Sequence, residues 1–568
     1  MSEQNTEALS TNRMLKELKA SIFLQEAYVS APMHHFFGNK PKYIIFISIC
    51  DGKSRASVCK GIGNSLETSW KSAEDAAFKI IKNKGLKPIW IKADLVDNIK
   101  TLIYQDFLNY ITGIKINYFR EGLAFDEMFN LAFLEQEVNA NTFIVENKDS
   151  QSKHLVWKNI NFYIKNNLGL RYQIEESQVE KMYTFTTIGF FHDGETLHKL
   201  NNQWLNNGRR RIEIIDKDLI HSIIQKSSTY LTGQVDSVGK FRYGYFPCFN
   251  KEVEKYNILR HASTTYSMIE AYEITQDKEL ALAIKRALNY LVTDAIELTA
   301  NPDGTISAFM VEKAQDNEIK LGANAAAILA FSKYTKVFGD DKYIELMEKL
   351  AEGITHFENK EDGSFVHVLN FPDLSVKERY RIIYYDGEAA FALMRLYEIN
   401  RDERLVNRVE QVFKYFFQKQ YWHHHDHWLS YCSNELFKYK PDKKYVEFNL
   451  ANAGGILDFC LTRETTYPTL LELCMATFNM ITRLRQENLY LETLASFDEE
   501  KLRRAIEHRV EHQLNGLYFP EVAMYYKVPQ NILWAFYIRH HSFRSRIDDI
   551  EHNISGYSSY YHAIASRM

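Results

Sequence analysis

At 568 residues, with 45% hydrophobic and 25% charged residues and only 10 Pro and 24 Gly, the chain has the makeup of an ordered globular protein with room for two or more cores. That excludes a peptide, a disordered chain and a small stapled scaffold. A formal charge of −4 gives no global basic field, so nucleic acid is not an expected partner, and six cysteines without a CxxC pair indicate neither a disulfide framework nor a thiolate zinc site.

The N-terminal stretch MSEQNTEALSTNRMLKELKAS has no apolar signal core, and no run approaches the length of a membrane span. The expected address is the cytoplasm, with no membrane insertion. An amphipathic helix is predicted over about 12–28. KYIIFISIC, the turn Asp51-Gly52-Lys53 and RASVCKGIG then read as a β-hairpin. Gly61-Ile62-Gly63-Asn64-Ser65 reads as a strand-to-helix turn; a lone GxG is weak evidence for phosphate binding. LETSWKSAEDAAFKIIKNKG reads as a helix ended by Gly85, PIWIKADLV as a strand, and FDEMFNLAFLEQEV as a further helix. The mixture predicts an α+β module over 1–147, with a small α+β segment or linker subdomain over 148–216 that holds KMYTFTTIGFFHDG and a strand RRRIEII. The basic run Arg209, Arg210 and Arg211 reads as a solvated face.

The second half repeats. Tyr272, Tyr334 and Tyr397 end apolar helices in the related strings IEAYEITQDKEL, FSKYTKVFGDDKY and MRLYEINRDERL, and a second apolar helix follows each at matching offsets. Asp277, Asp341 and Asp402 stand where N-caps would start those second helices. A weaker fourth copy runs through NAGGILDFCLTRETTYPTLLELCMATFNMI, and NILWAFYIRHHSF from Asn531 is a fifth first-helix candidate. Turn-bearing aromatic segments lie between, and read as short strands, HHDHWLSY among them. Helical pairs with long connections predict a mainly α C-terminal α/α toroid over 217–568. On phrases such as AAFALMRLYEINRDERL and on the period, this region resembles the (α/α)6 toroids of carbohydrate-active enzymes: six-hairpin glycosidases, uronate-releasing hydrolases, polysaccharide lyases and sugar or glucuronyl epimerases. The resemblance implies a toroid and a carbohydrate substrate; no catalytic motif of those families matches residue by residue.

In such a ring the first helix of each pair lines the inside, and its N-terminus opens on a common funnel. The polar residues at those starts are the candidate site: His261, Tyr385, Asp386 and Glu388 for catalysis, and Arg260, Asn324 and Asn452, joined by Asp548 and His552 from FRSRIDDIEHN, for substrate binding. An imidazole and a carboxyl group suit proton transfer, and Arg260 suits a carboxylate. Asp386, Asn324 and Asn452 also read as plain helix caps. In WHHHDHW, His423, His425 and His427 would share one face of a strand and converge on a metal. With no distant ligand in view, no metal or other cofactor is assigned.

The sequence therefore predicts a carbohydrate-active hydrolase, lyase or epimerase acting on a glycan or small anionic substrate. The alternative is a non-catalytic glycan- or peptide-binding assembly protein whose N-terminal module contacts a protein partner. A zinc-dependent peptide-modifying toroid finds no support in the cysteine spacing.

Overall fold

The computed structural model describes residues 3–38 and 41–565. The chain divides into two compact units: residues 1–214 with 245–251 and 515–545, and residues 215–244 with 252–514 and 546–568.

The first unit is built on a seven-stranded sheet. Its leading hairpin is β1 (Tyr43–Cys50) and β2 (Ser57–Gly63), and β1 pairs on its other side with β3 (Trp90–Ile103), all antiparallel. β1 is buried along its whole length, as its unbroken apolar run requires. The opening helix is two helices, α1 (Glu3–Phe23) and α2 (Glu26–Phe37), and α3 (Leu66–Lys84) packs on the hairpin. Ser65 caps α3 through Thr68, and Gly85 ends it at φ 60°. A side chain at Gly61 would put its Cβ 2.0 Å from the Ser69 carbonyl oxygen, so this glycine serves close strand-helix packing.

Helix α4 (Tyr104–Thr112) follows. The helix expected over FDEMFNLAFLEQEV shrinks to α5 (Glu135–Ala140), because the residues before it form the small hairpin β4 (Gly122–Ala124) and β5 (Ala132–Phe133). Next come the hairpin β6 (Ile144–Glu146) and β7 (Lys153–Leu155), then α6 (Trp157–Asn167), β8 (Lys181–His192) and β9 (Leu197–Lys199). The boundary expected near residue 147 is absent, because β8 runs antiparallel along β3 in the middle of the same sheet. RRRIEII forms no strand beyond one bridge, at Arg210. Of the arginine run only Arg211 is exposed: Arg210 makes a buried fork to Glu521 at 2.8–3.3 Å, and Arg209 Nε donates to Asn515 Oδ1 at 2.7 Å.

The second unit is a double ring of helices. Its outer members are α7 (Lys217–Thr232), α9 (Lys278–Tyr290), α11 (Ile344–Ile354), α13 (Glu403–Gln418), α15 (Lys443–Gly454) and α19 (Glu499–His512). The inner members are α8 (Ile258–Thr275), α10 (Leu321–Phe338), α12 (Tyr384–Asn400), α14 (His427–Tyr439), α17 (Thr469–Gln486) and α21 (Ile547–Ala565). Each inner helix packs on the next, and α21 packs on α8, which closes the ring. Short helices α16 (Leu457–Thr462) and α18 (Leu491–Leu494) lie on its connections, while α20 (Pro520–Ala523) belongs to the first unit. Outer helices are amphipathic: α13 buries Leu405, Val406, Val409, Val412, Phe413 and Phe416 on one stripe. Inner helices are buried all round, as α12 is from Tyr385 to Tyr397. Asp277 and Asp402 cap α9 and α13, whereas α11 begins without a side-chain cap.

Strands β10 (Gly244–Phe246), β11 (Lys251–Glu252) and β17 (Ser545–Arg546) stand where the chain passes from one unit to the other. Inside the second unit, β12 (Ile296–Ala300), β13 (Ile306–Glu312), β14 (Glu318–Lys320), β15 (Val368–Asn370) and β16 (Val376–Glu378) form one sheet on the connections that lead into α10 and α12.

Three repeat assignments change. The fourth inner helix is α14, so HHDHWLSY is helical and not a strand, because Asp426 caps it through the Trp428 amide. Pro468 precedes an inner helix, α17, rather than an outer one. Residues 531–543 contain no α-helix and belong to the first unit; the sixth inner helix is α21.

Candidate active site at the mouth of the helical ring

The six inner helices all start at one end of the ring, since each is reached by an antiparallel outer partner. Their first turns bring together Arg260 from α8, Tyr385 and Glu388 from α12, His427 from α14, Glu472 from α17, and Asp548, Glu551 and His552 from α21.

Glu388 is 2% exposed, and among the described residues its carboxyl group has no hydrogen-bond partner. Burial raises its pKa well above the usual carboxylate range; Arg260 opposes this, and Glu551 and Asp426 add to it. Glu551 lies on α21, across the ring from α12, and its charge raises the pKa of Glu388. The approach of α12 to α10 depends on Gly322, where a Cβ would lie 2.6 Å from Glu388 Oε2 and 2.6 Å from Tyr385 Cδ1. Burial, with the Glu388 charge, pushes the Tyr385 hydroxyl up to about 12.

Glu551 accepts from Ser263 Oγ at 2.6 Å and Thr264 Oγ1 at 3.3 Å, and burial pushes it up to about 7. Arg260 Nε lies 3.5 Å from Asp548 Oδ2, which also holds Arg546 at 2.7 Å. Burial pulls Arg260 down, but Asp548, Glu551 and Glu388 outweigh it, so the guanidinium stays charged and partly open. Next to it, His552 Nδ1 and Glu472 Oε1 are 2.8 Å apart, and Tyr431 donates to Glu472 Oε2 at 3.2 Å. Burial pushes Glu472 up to about 8 and lowers His552. The mouth therefore holds carboxyl groups able to keep a proton at neutral pH beside a fixed cation, an arrangement suited to general acid catalysis on an anionic or hydroxyl-rich ligand.

Of the nine sequence candidates, the structure brings Arg260, Tyr385, Glu388, Asp548 and His552 to this mouth. It does not bring the other four. His261 is fully buried behind the inner ring: Nε2–H donates to the Ala287 carbonyl at 2.9 Å on outer helix α9, and Nδ1 accepts from Tyr256 Oη at 2.8 Å. Asp386, two residues from Glu388 and so on another helix face, is 3.0 Å from His367 Nε2. His367 Nδ1 accepts from the Arg381 amide at 2.9 Å, which leaves the proton on Nε2 for Asp386. Asn324 is spent on Met310 N, Ala308 O and Leu350 O. Asn452 sits on outer helix α15 and ties down the start of α14 through the backbone of Asp426 and Ser430 Oγ. The correction has one cause: these polar side chains are spent on hydrogen bonds inside the wall, His261, Asn324 and Asn452 on backbone groups and Asp386 on the His367 imidazole. His423, His425 and His427 do not converge either, because 421–424 is a 3-10 turn, His425 Nδ1 is 2.7 Å from the Asn452 carbonyl, and His427 faces inward from α14.

Sequence reading missed Glu472 and Glu551, and it named His427 only with His423 and His425 on an expected strand. Glu472 carries the clearest overlooked signal: it is the single charge in the apolar run LLELCMATF.

No family model matches the sequence, and no curated protein matches it. Solved structures similar to this chain include several carbohydrate enzymes. They include a D-mannose isomerase (13% identity, TM-score 0.45, covering 63% of this chain and 100% of that one). A cellobiose 2-epimerase from Bacillus thermoamylovorans gives 12%, 0.47, 61% and 100%. An unsaturated glucuronyl hydrolase specific for heparin gives 11%, 0.43, 62% and 99%.

Proposed function

We propose that the chain is a carbohydrate-active enzyme that performs general acid–base chemistry at the mouth of its helical ring, on a hydroxyl-rich substrate carrying an anionic group. One observation supports this above all: Glu388 is a buried carboxyl group near the start of an inner helix, within the influence of Arg260 and without a hydrogen-bond partner among the described residues. A structural carboxyl group in a helix wall is hydrogen-bonded, as Asp386 is; one left open next to a cation has room for a ligand to complete it. In this reading Arg260 takes the anionic group, and Glu388, protonated at rest, gives a proton to a leaving or carbonyl oxygen. Tyr385 and Glu551 flank the reacting carbon.

The test is mass spectrometry of neutral and uronate-containing oligosaccharides incubated with the protein in heavy water. Cleavage with added solvent oxygen identifies a hydrolase, an unsaturated fragment a lyase, and deuterium on carbon without cleavage an epimerase or isomerase. Whichever product forms, Glu388→Gln is expected to slow its formation by about a hundred-fold or more; a variant as active as the parent overturns the assignment of Glu388, and a panel left wholly unchanged overturns the enzyme reading.

A further inference from the structure

We propose that His427, Glu472 and His552 form a site for one divalent transition-metal ion of the zinc type, built by three consecutive inner helices, α14, α17 and α21. Ligand atoms of the three side chains all lie within 4.8 Å of one another. Two imidazoles and one carboxylate are the donor set that zinc takes in sites with an open position for water or substrate; calcium and magnesium would ask for oxygen donors instead.

A second observation points to a ligand independently of that spacing. His427 is 3% exposed, yet neither of its ring nitrogens has a hydrogen-bond partner. A buried imidazole left in that state carries the full desolvation cost of a polar group, which native interiors avoid. Its ring meets that of His552 edge-on with 5.4 Å between centroids, so the unpaired nitrogens are held against the other two donors.

The surroundings fit as well. Asp426 Oδ1 lies 3.1 Å from His427 Nδ1, and Asp426 Oδ2 is itself buried without a partner. A small rotation of the ring would give an Nδ1–H to carboxylate bond and leave Nε2 for the ion, the usual outer support of a metal-bound histidine. Tyr431 already donates to the second oxygen of Glu472, which leaves Oε1 for the metal. Oε1 and His552 Nδ1 are 2.8 Å apart, the separation of a shared proton; an ion with bonds of about 2.0–2.1 Å would replace that proton and spread the pair to roughly 3.4 Å. A dication would also balance the carboxyl groups crowded at this mouth.

The inference does not rest on the acid–base reading, because it is decided by metal content, whereas that reading is decided by turnover. The full chain is stripped with a chelator, reloaded with Zn²⁺ against a weak competing chelator, and assayed by elemental mass spectrometry. About one equivalent is expected in the parent, none in His427→Ala or Glu472→Gln, and full loading in the control His423→Ala; Asp426→Asn is expected to bind about 10- to 100-fold more weakly. Should the ligand variants fail to fold, the parent alone decides: Co²⁺ in place of zinc should give visible d–d absorption, and Zn²⁺ should raise the melting temperature. A parent that retains no zinc, shows no cobalt spectrum, or shares its zinc content with folded His427→Ala overturns the site.

Discussion

Replacing His261 is expected to change stability and its pH dependence while leaving the chemistry of the mouth intact. The imidazole is fully buried between Phe241 and Tyr290 and is neutral: it donates one hydrogen bond from Nε2 and accepts one at Nδ1 from a tyrosine whose own oxygen accepts from the Phe241 amide. Burial pushes its pKa down to about 4 from 6.5, opposed by the hydrogen bond to the Ala287 carbonyl and by Asp236. Because the folded value lies below the unfolded one, the unfolded chain binds the extra proton. The stabilisation is fully present above about pH 6.5 and is lost as the pH falls towards 4, amounting to roughly 3 kcal/mol across that window. His261→Gln keeps a donor for the Ala287 carbonyl but cannot titrate, so the acid limb of its stability curve should be shallower than the parent's by that amount. Histidine C2–H exchange followed by mass spectrometry reads the same group directly. A midpoint near 6.5 for His261, or identical acid limbs in parent and variant, would refute the reasoning. A loss of turnover by His261→Gln at unchanged stability would return this residue to catalysis.

Glu388→Gln should lower turnover by about a hundred- to ten-thousand-fold, the usual worth of a general acid, and leave the melting temperature equal or higher, because a costly buried carboxyl group is gone. Asn324→Ala removes the side chain that joins the β13 backbone and α11 to α10, leaving one amide and two carbonyls with a partner lost; a cost of about 2–4 kcal/mol is expected in urea unfolding, with faster hydrogen exchange at the Met310 amide. Glu521→Ala strands the Arg210 guanidinium in the first unit and should cost about 3–5 kcal/mol, read as accelerated exchange along β8 and β9 with the helical ring unaffected; uniform exchange in both proteins would count against it.

The ring was legible where its connections match. Inner helices start at Ile258, Leu321 and Tyr384, a constant spacing of 63, and the C-cap residues Gln276, Gly339 and Arg401 all take left-handed φ, at 52°, 64° and 56°. The next starts, His427, Thr469 and Ile547, follow at 43, 42 and 78 residues, because the sheet-bearing connections are gone and the last gap holds an excursion. That excursion, residues 515–545, folds with the first unit. Without its 31 residues the final gap would be 47, close to the two before it. A search for a fixed period therefore loses phase after the third pair, so HHDHWLSY reads as a strand and 531–543 as a helix.

The site was harder to read for a reason of helix phase. Which of two adjacent polar residues faces the axis is decided by a rotation of about 100° per residue, and an amphipathic stripe normally reveals it. Outer helices carry such a stripe; inner ones are enclosed on every side, so Arg260 and His261, or Asp386 and Glu388, look equivalent in sequence although one of each pair reaches the mouth and the other is fixed in the wall. What separates them is the supply of partners. The wall offers free backbone groups wherever a connection meets a helix, and His261, Asn324 and Asn452 are consumed by those groups. Where the first turns converge, the carboxyl and imidazole groups meet side chains instead: hydroxyls of Ser263, Thr264 and Tyr431, the guanidinium groups of Arg260 and Arg546, and one another. Glu388, without a hydrogen-bond partner among the described residues, and His427, with both nitrogens unpaired, stand at this mouth. Other side chains in the ring also leave a buried polar atom unpaired, Asn449 Oδ1 and Gln513 Oε1 among them; what sets the mouth apart is that Glu388 and His427 stand there beside a charged guanidinium and further ionisable groups.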